Sequence, residues 1–251
     1  MIEINPMSLA EKHILVTGAT GGIGRAVCAL AADLGANVSL LSRRENLLKE
    51  IANSLEGNGH GYYGMDLSDL SQIETILQQI VSDRGPLDGL VHCAGLGEVR
   101  PLKLCTPDYV QKILSVNTFA FIELLRVAAK KKNSREGASF VGISSVAAFR
   151  GGKGQGIYST AKGAMDAMIR PFAKELAPRQ IRLNNVAFGM IHTEMYETYL
   201  NSGGSAQDLE RDQYLGVGRP EDAAKAICYL LSDAAKFITG TTMVCDGGFL
   251  S

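Results

Sequence analysis

Three residues carry chemistry by type and spacing: Ser145, Tyr158 and Lys162. Tyr158 and Lys162 stand four apart, so on a helix they share one face. Ser145 lies 13 residues before Tyr158, at the end of the apolar run Phe140–Ile143. That run reads as a buried strand with hydroxyls at its carboxyl end, where ligands sit in an open α/β sheet. A phenol, an ammonium and a hydroxyl converging there suit proton transfer to a carbonyl oxygen. A free phenol titrates near 10, and an adjacent ammonium is expected to draw it down toward working pH. The Tyr-x-x-x-Lys pair alone decides nothing. The same spacing fits a tyrosine packed on a neighbouring helix beside a solvated lysine.

The elements that must position these residues begin near the N-terminus. His13–Val16 reads as a short strand. The glycine-rich Thr17-Gly18-Ala19-Thr20-Gly21-Gly22-Ile23-Gly24 follows, and then a helical pattern through Val27, Leu30, Ala31 and Leu34, stopped by Gly35. Glycines at 18, 22 and 24 allow a tight turn and close backbone approach to a pyrophosphate at a helix N-terminus. A plain turn is the competing reading. Further along, strands are expected near 12–17, 36–41, 60–64, 88–92, 138–143, 181–187 and 241–245. Helices are expected near 22–34, 45–55, 69–83, 107–133 (broken at Asn117), 157–177 and 222–232. Such alternation implies a parallel sheet covered on both faces.

Taken together, these residues resemble the short-chain dehydrogenase/reductase family, in its 3-oxoacyl-(acyl carrier protein) reductase-like branch. The likeness runs over essentially the whole chain. It continues through Asp66, Ala94-Gly95, Asn117 and Thr193 to Gly218-Arg219-Pro220-Glu221-Asp222 and Asp246-Gly247-Gly248. It implies a Rossmann-type, doubly wound, seven-stranded parallel sheet with helices on both faces. It also implies one NADP-binding domain over residues 1–251, with a substrate lid at about 190–216.

The resemblance assigns roles residue by residue. Asn117, Ser145, Tyr158 and Lys162 are the expected catalytic set. Ser145 holds the substrate carbonyl and Tyr158 gives the proton. Lys162 lowers the Tyr158 pKa and holds the nicotinamide ribose, and Asn117 keeps a water behind Lys162. Ser144 misses the spacing and is scaffold. Cofactor contacts are expected from Thr17, Gly18, Thr20, Gly22, Ile23, Gly24, Ser42, Arg43, Asp66, Leu67, Ala94, Gly95, Tyr158, Lys162, Gly189, Ile191 and Thr193. Ser42 stands where an NAD site would place an acidic residue, and Arg43 follows it. A guanidinium suits a 2′-phosphate that a carboxylate would repel, so NADP(H) is expected. Alternatively, Arg43 and Arg44 are surface charges opening the next helix, and Asp66 is a cap near Leu67-Ser68 rather than an adenine contact.

Two positions depart from the family pattern. His92-Cys93 replaces the usual Asn-Asn before Ala94-Gly95, so the strand-tying asparagine is missing; His92 is expected to pack or hydrogen-bond rather than catalyse. Phe188 replaces the proline before Gly189 and is expected to narrow or reorient the nicotinamide wall.

The expected substrate is a small-molecule or acyl-thioester carbonyl. Arg179 aligns with a basic carrier contact, and Lys130, Lys131, Lys132 and Arg135 could extend it, although Glu136 occupies the second contact position. A solvated helix end explains the same charges. A sugar or polyol dehydrogenase on the same site and a catalytically idle nucleotide-binding protein are the other readings. The apolar helices over 119–129 and 164–172 need cover on more than one side, and the resemblance implies that they pack on their copies in a homotetramer, with Pro171 expected to kink the second.

Composition bounds the rest. The chain has 251 residues, 46% of them hydrophobic, and a net charge of −1, so neither nucleic acid nor membrane is expected as a partner. Five scattered cysteines without a Cys-x-x-Cys support neither a metal site nor a disulfide framework. Ile2-Glu3-Ile4-Asn5-Pro6 does not read as a signal peptide. The expected location is the cytoplasm.

Overall fold

The computed structural model describes residues 5–201 and 211–251. The expectations for residues 2–4 and for the lid stretch 202–210 lie outside the described residues. Seven strands form one parallel sheet in the order β3-β2-β1-β4-β5-β6-β7. They are β1 (His13–Thr17), β2 (Asn37–Ser42), β3 (Gly61–Gly64), β4 (Leu87–His92), β5 (Ser134–Ser145), β6 (Arg182–Phe188) and β7 (Thr242–Cys245). Among the described residues the α-helices are α1 (Gly22–Asp33), α2 (Glu45–Ser54), α3 (Ile73–Arg84), α4 (Pro107–Leu114), α5 (Ala120–Ala128), α6 (Gly156–Leu176), α7 (Glu194–Asn201) and α8 (Pro220–Leu231).

Strand periodicity sorts the core into two layers. Ile14, Val16, Val38 and Leu40 face α1, α2 and α8, packing on Val27, Leu48 and Ile227. Leu15, Leu41, Leu90 and Phe140 face α3, α5 and α6, packing on Leu77, Leu124 and Met165. Every residue of β1 is buried, which is why it reads as a continuous apolar run rather than an alternating one.

The chain order reverses between β1 and β4, opening a crevice above the carboxyl ends of the strands. Three breaks in regular structure face it. The first is the glycine-rich turn before α1. The second is a π-helical turn, Ser115–Phe119, between α4 and α5, the break expected at Asn117; such bulges recur at functional sites. The third is the segment after β6. There the structure adds α7, which the aperiodic sequence did not suggest. Beyond it, α8 starts at Pro220, and the Asp222 carboxylate accepts from the Arg219 N–H at 3.0 Å. α6 runs as one helix through Pro171, where a kink was expected. Among the described residues, no helix is long and apolar enough to cross a membrane.

Candidate active site

The carboxyl end of β5 and the first turns of α6 bring the three chemical residues together. Ser145 ends β5, and its Oγ accepts from the Ala147 N–H at 3.1 Å, opening a short turn. Tyr158 and Lys162 lie one helical turn apart, with the Lys162 Nζ 5.7 Å from the Tyr158 ring centroid. Lys162 is buried, and its Nζ donates to the Ile143 carbonyl at 2.7 Å. Asn117 is buried in the π-helical turn. Its Nδ2 donates to the carbonyls of Leu96 and Ile113, each at 2.9 Å, and its Oδ1 accepts from the Leu96 N–H. A Cβ placed on Gly95 would lie 2.9 Å from Asn117 Oδ1 and 3.5 Å from Lys162 Nζ. Gly95, Asn117 and Lys162 therefore close on one point.

Burial corrects the expected electrostatics. It pushes the Tyr158 phenol up from 10, and the Ser145 hydroxyl only partly pulls it back. Lys162 is not among the groups that shift it; its ammonium lies 5.7 Å from the ring centroid and donates to the Ile143 carbonyl. Burial brings Lys162 itself down to about 8, against the opposing charge of Asp166. Asp166 is one turn further along α6. It accepts from Ser144 Oγ at 2.8 Å, Asn185 Nδ2 at 2.8 Å and Thr242 Oγ1 at 2.9 Å. Ser144 is thus scaffold, as its spacing implied.

The glycine-rich turn is more than a plain turn. Gly18 has φ +63°, and a Cβ there would come within 2.6 Å of the Ala94 nitrogen; one on Gly24 would come within 2.3 Å of the Gly18 carbonyl. A Cβ on Gly22 would press on the Thr193 methyl at 2.8 Å. These glycines let β1, the Ala94-Gly95 segment and the segment after β6 meet around one cleft. The α1 N-terminus has no side-chain cap and no acidic residue in its first turn, so its free N–H groups suit a phosphate. Thr20 Oγ1 donates to Ser42 Oγ at 3.0 Å. Arg44, expected either to join Arg43 on a 2′-phosphate or to be a surface charge, donates to Thr20 Oγ1 at 3.2 Å and to the Thr20 carbonyl at 2.9 Å. Arg43 faces Asp66 at 3.7 Å. Asp66 also accepts from the Ser68 N–H at 2.9 Å, so it does serve the turn at Leu67-Ser68. The residues present fit a dinucleotide: a glycine cradle, a free helix terminus and a cation at the end of β2.

His92 takes over the tie that the missing asparagine left open. The Ala94 N–H donates to Thr17 Oγ1 at 3.3 Å, and Thr17 Oγ1 lies 3.0 Å from His92 Nδ1. His92 Nε2 lies 3.1 Å from the Val116 carbonyl. A carbonyl only accepts, so Nε2 carries the proton and Nδ1 accepts from the Thr17 hydroxyl. Burial lowers His92 to about 3 and keeps it neutral, and its ring stacks on Phe121 with centroids 5.1 Å apart. Cys93 is left to line the cleft.

A cavity of about 610 Å³ opens above Ser145, Tyr158 and Lys162. Its walls include Val99, Phe188, Met190, Met195, Tyr199 and Phe249, with Arg150 and Lys153 at the rim. Phe188 is itself buried and forms part of both the core and the cavity wall. Thr193 Oγ1 donates to the Ile191 carbonyl at 3.3 Å, beside Gly189.

The expected carrier patch is largely consumed by the fold. Arg179 donates to the carbonyls of Ala129 at 2.8 Å and Ser134 at 2.5 Å, closing the end of α5. Lys130 pairs with Glu74, and Arg135 with Asp88. Of the expected basic group, Lys131 and Lys132 have no ion pair among the described residues.

Comparison with known proteins fits this site. A family described as Enoyl-(Acyl carrier protein) reductase matches residues 18–250. A 3-oxoacyl-[acyl-carrier-protein] reductase of Rickettsia felis is 32% identical, covering 97% of this chain and 99% of that protein. Carbonyl reductase family member 4 of Xenopus laevis is 33% identical over 95% of this chain and 98% of its own length. Among solved structures, a short-chain dehydrogenase/reductase of Brucella melitensis, titled a glucose/ribitol dehydrogenase, superposes with TM-score 0.89 at 31% identity, covering 96% of this chain and 97% of that one. A blue fluorescent protein from a metagenomic library, solved with NADPH, gives 0.89 at 27% identity, with 97% and 100% covered. The chain belongs to the short-chain dehydrogenase/reductase family and is 3-oxoacyl-(acyl carrier protein) reductase-like. It is an NAD(P)-dependent oxidoreductase acting on the CH–OH/C=O pair.

Proposed function

We propose that the protein reduces a ketone to a secondary alcohol with NADPH, using Tyr158 as the proton donor. The observation that carries this reading is the convergence of Ser145, Tyr158 and Lys162 beneath one cavity, with Asn117 behind Gly95, beside a glycine cradle. When bound, the nicotinamide supplies a hydride to the carbonyl carbon. Ser145 donates a hydrogen bond to the carbonyl oxygen, and Tyr158 Oη gives its proton to the developing alkoxide. A phenol held above 10 is protonated at neutral pH and so is loaded as an acid. The Lys162 ammonium stabilises the phenolate left behind, and Asn117, which holds the Leu96 backbone beside Gly95, keeps a water behind Lys162.

NADPH is preferred over NADH because Arg43 is the cation beside Ser42 and no carboxylate stands at position 42 itself. Thr17, Thr20, Ile23, Leu67, Ala94, Gly189, Ile191 and Thr193 line the rest of the cofactor path. The apolar cavity wall favours an acyl or ring substrate, with a 3-oxoacyl thioester as the leading candidate. The sugar or polyol alternative is kept because the Brucella melitensis neighbour carries a glucose/ribitol title. Loss of Arg179 to backbone carbonyls weakens docking of an acidic carrier at that point. We take residues 1–251 as one catalytic domain, with the lid over about 190–216. We place the protein in the cytoplasm, where five unpaired cysteines are at home. We assign it as a homotetramer, because Phe119, Ile122 and Phe172 are only half-covered; a monomeric mass in light scattering would refute this.

The test is kcat/KM for a 3-oxoacyl thioester against small ketones and keto-sugars, with NADPH and NADH. Thioester reduction with NADPH is the expected outcome. Turnover of sugars alone replaces the substrate assignment, and no turnover of any carbonyl overturns the reading.

A further inference from the structure

Gln213 belongs to no motif and takes no part in the chemistry above, yet its side chain is 2% exposed and its polar groups are all used. Its Oε1 accepts from the Met190 N–H at 2.7 Å. Its Nε2 donates to the Met190 carbonyl at 3.1 Å and to the Gly216 carbonyl at 2.6 Å. Bonding both the N–H and the C=O of one residue is what a neighbouring strand does. Met190 is thus clamped by a side chain just where β6 has ended.

The clamp belongs to a small assembly at the base of the lid. The Gly218 N–H donates to the Met190 carbonyl at 3.0 Å, the His192 N–H donates to the Gly218 carbonyl at 2.8 Å, and Ile191 pairs with Gly218. Space is kept open for the amide. A Cβ on Gly189 would come within 2.6 Å of Gln213 Oε1, and one on Gly247 within 3.2 Å of its Cγ. The segment so fixed, Met190–Thr193, leads to the Thr193 methyl that packs on Gly22 of the glycine cradle.

We infer that Gln213 is a positioning residue for the reduction, setting the Met190–Thr193 backbone that walls the nicotinamide half of the cleft. This rests on the function proposed above. Small errors in that wall are costly, since a displacement of about 1 Å can cost on the order of 10²-fold in rate. An apolar residue of the same size would leave the Met190 N–H and the Gly216 carbonyl without their side-chain partner.

Gln213→Glu gives a signature that loss of stability does not. The protonated acid can accept from Met190 N–H and donate to one carbonyl; the carboxylate cannot donate and faces two carbonyl oxygens. Burial raises the pKa of the new acid. The charged groups around it are Asp212, held by Arg150 and Arg211, and Asp246, which accepts from the Gly248 and Leu250 N–H groups. The two carboxylates raise it further, and Arg150 and Arg211 oppose them.

The experiment uses the full chain. In Gln213→Ala, hydrogen exchange at the Met190 amide should speed up by tenfold or more. The NADPH KM should rise about tenfold, and the isotope effect with 4-deuterated NADPH should grow as hydride transfer becomes limiting. The ratio of Gln213→Glu to wild-type kcat/KM should rise toward one as pH falls, a comparison that divides out the Lys162 limb common to both. If Gln213→Ala does not fold, the pH course and Met190 exchange of Gln213→Glu decide. Unchanged Met190 exchange, KM and isotope effect, with only a lowered melting temperature, overturns the inference. If the wild type reduces no carbonyl, the proposed function fails, while Met190 exchange with and without NADPH still reads the clamp.

Discussion

The Lys162 ammonium donates to the Ile143 carbonyl over 2.7 Å, which ties the first turns of α6 to the carboxyl end of β5. The contact holds a charge in a dry place, and burial brings Lys162 down to about 8. The ammonium is the working form, present below that value and lost as pH rises through it. Reduction is therefore expected to fall on an alkaline limb near pH 8. Asp166 opposes the burial effect, so Asp166→Asn removes charge that favours the ammonium and should move the limb to lower pH. The facing groups are Tyr158, whose phenol stays protonated there, the Cys93 thiol, held up to about 12, and neutral His92. A pH profile of kcat/KM checks this; a limb that moves upward in Asp166→Asn contradicts it.

Tyr158→Phe removes the proton donor while leaving the ring that packs beneath the cavity. NADPH binding and the melting temperature should stay near wild type, and kcat should fall on the order of 10²-fold or more. Lys162→Met should lose kcat and NADPH affinity together. A Tyr158→Phe enzyme that reduces its best carbonyl substrate at wild-type rate would remove Tyr158 from the mechanism.

Much of this was legible because it is local. Apolar runs ending in glycine or hydroxyl residues marked the strands, and the Ser145–Tyr158–Lys162 spacing is fixed by one strand and one helix. What escaped depends on distant partners. Arg179 looked free because its acceptors, Ala129 and Ser134, lie well before it in the chain, on the far side of β5 and α6. The direction of the Tyr158 pKa turned on burial, which spacing with Lys162 does not report. α7 has one buried residue, Tyr196, so its sequence carries little of the periodicity that marks a packed helix. Gln213 follows an aperiodic stretch and acts only through the backbone of Met190.

The two arginines after β2 should separate experimentally. Arg43 pairs with Asp66 at 3.7 Å, and both side chains are about half or more exposed. Such a pair contributes little and yields readily to a phosphate. Arg43→Ala should abolish most of the preference for NADPH over NADH, a difference of about 1.5–3 kcal/mol for a charge-assisted contact. Arg44 instead braces the cradle through Thr20, so Arg44→Ala should weaken both cofactors alike. Fluorescence titrations of the two variants with each cofactor decide it. Equal wild-type affinity for NADPH and NADH would dispose of the Arg43 assignment.

His92 should leave its mark on acid stability rather than on turnover. In the native protein burial holds it at about 3, against an ordinary 6.5. Between those values the unfolded chain binds a proton that the folded chain does not. Unfolding free energy therefore rises with pH across this window and falls as pH drops, at up to about 1.4 kcal/mol per pH unit. His92→Asn cannot titrate there but can still bond Thr17 or the Val116 carbonyl. The variant should be less stable near neutral pH, having lost the Phe121 stack, yet its stability should decline less steeply in acid. His13 is also held low by burial, but it is common to both proteins and cancels. Urea unfolding at a series of pH values from about 4 to 7 gives the two slopes. Equal slopes would mean that His92 is not the buried neutral group that links Thr17 to the π-helical turn.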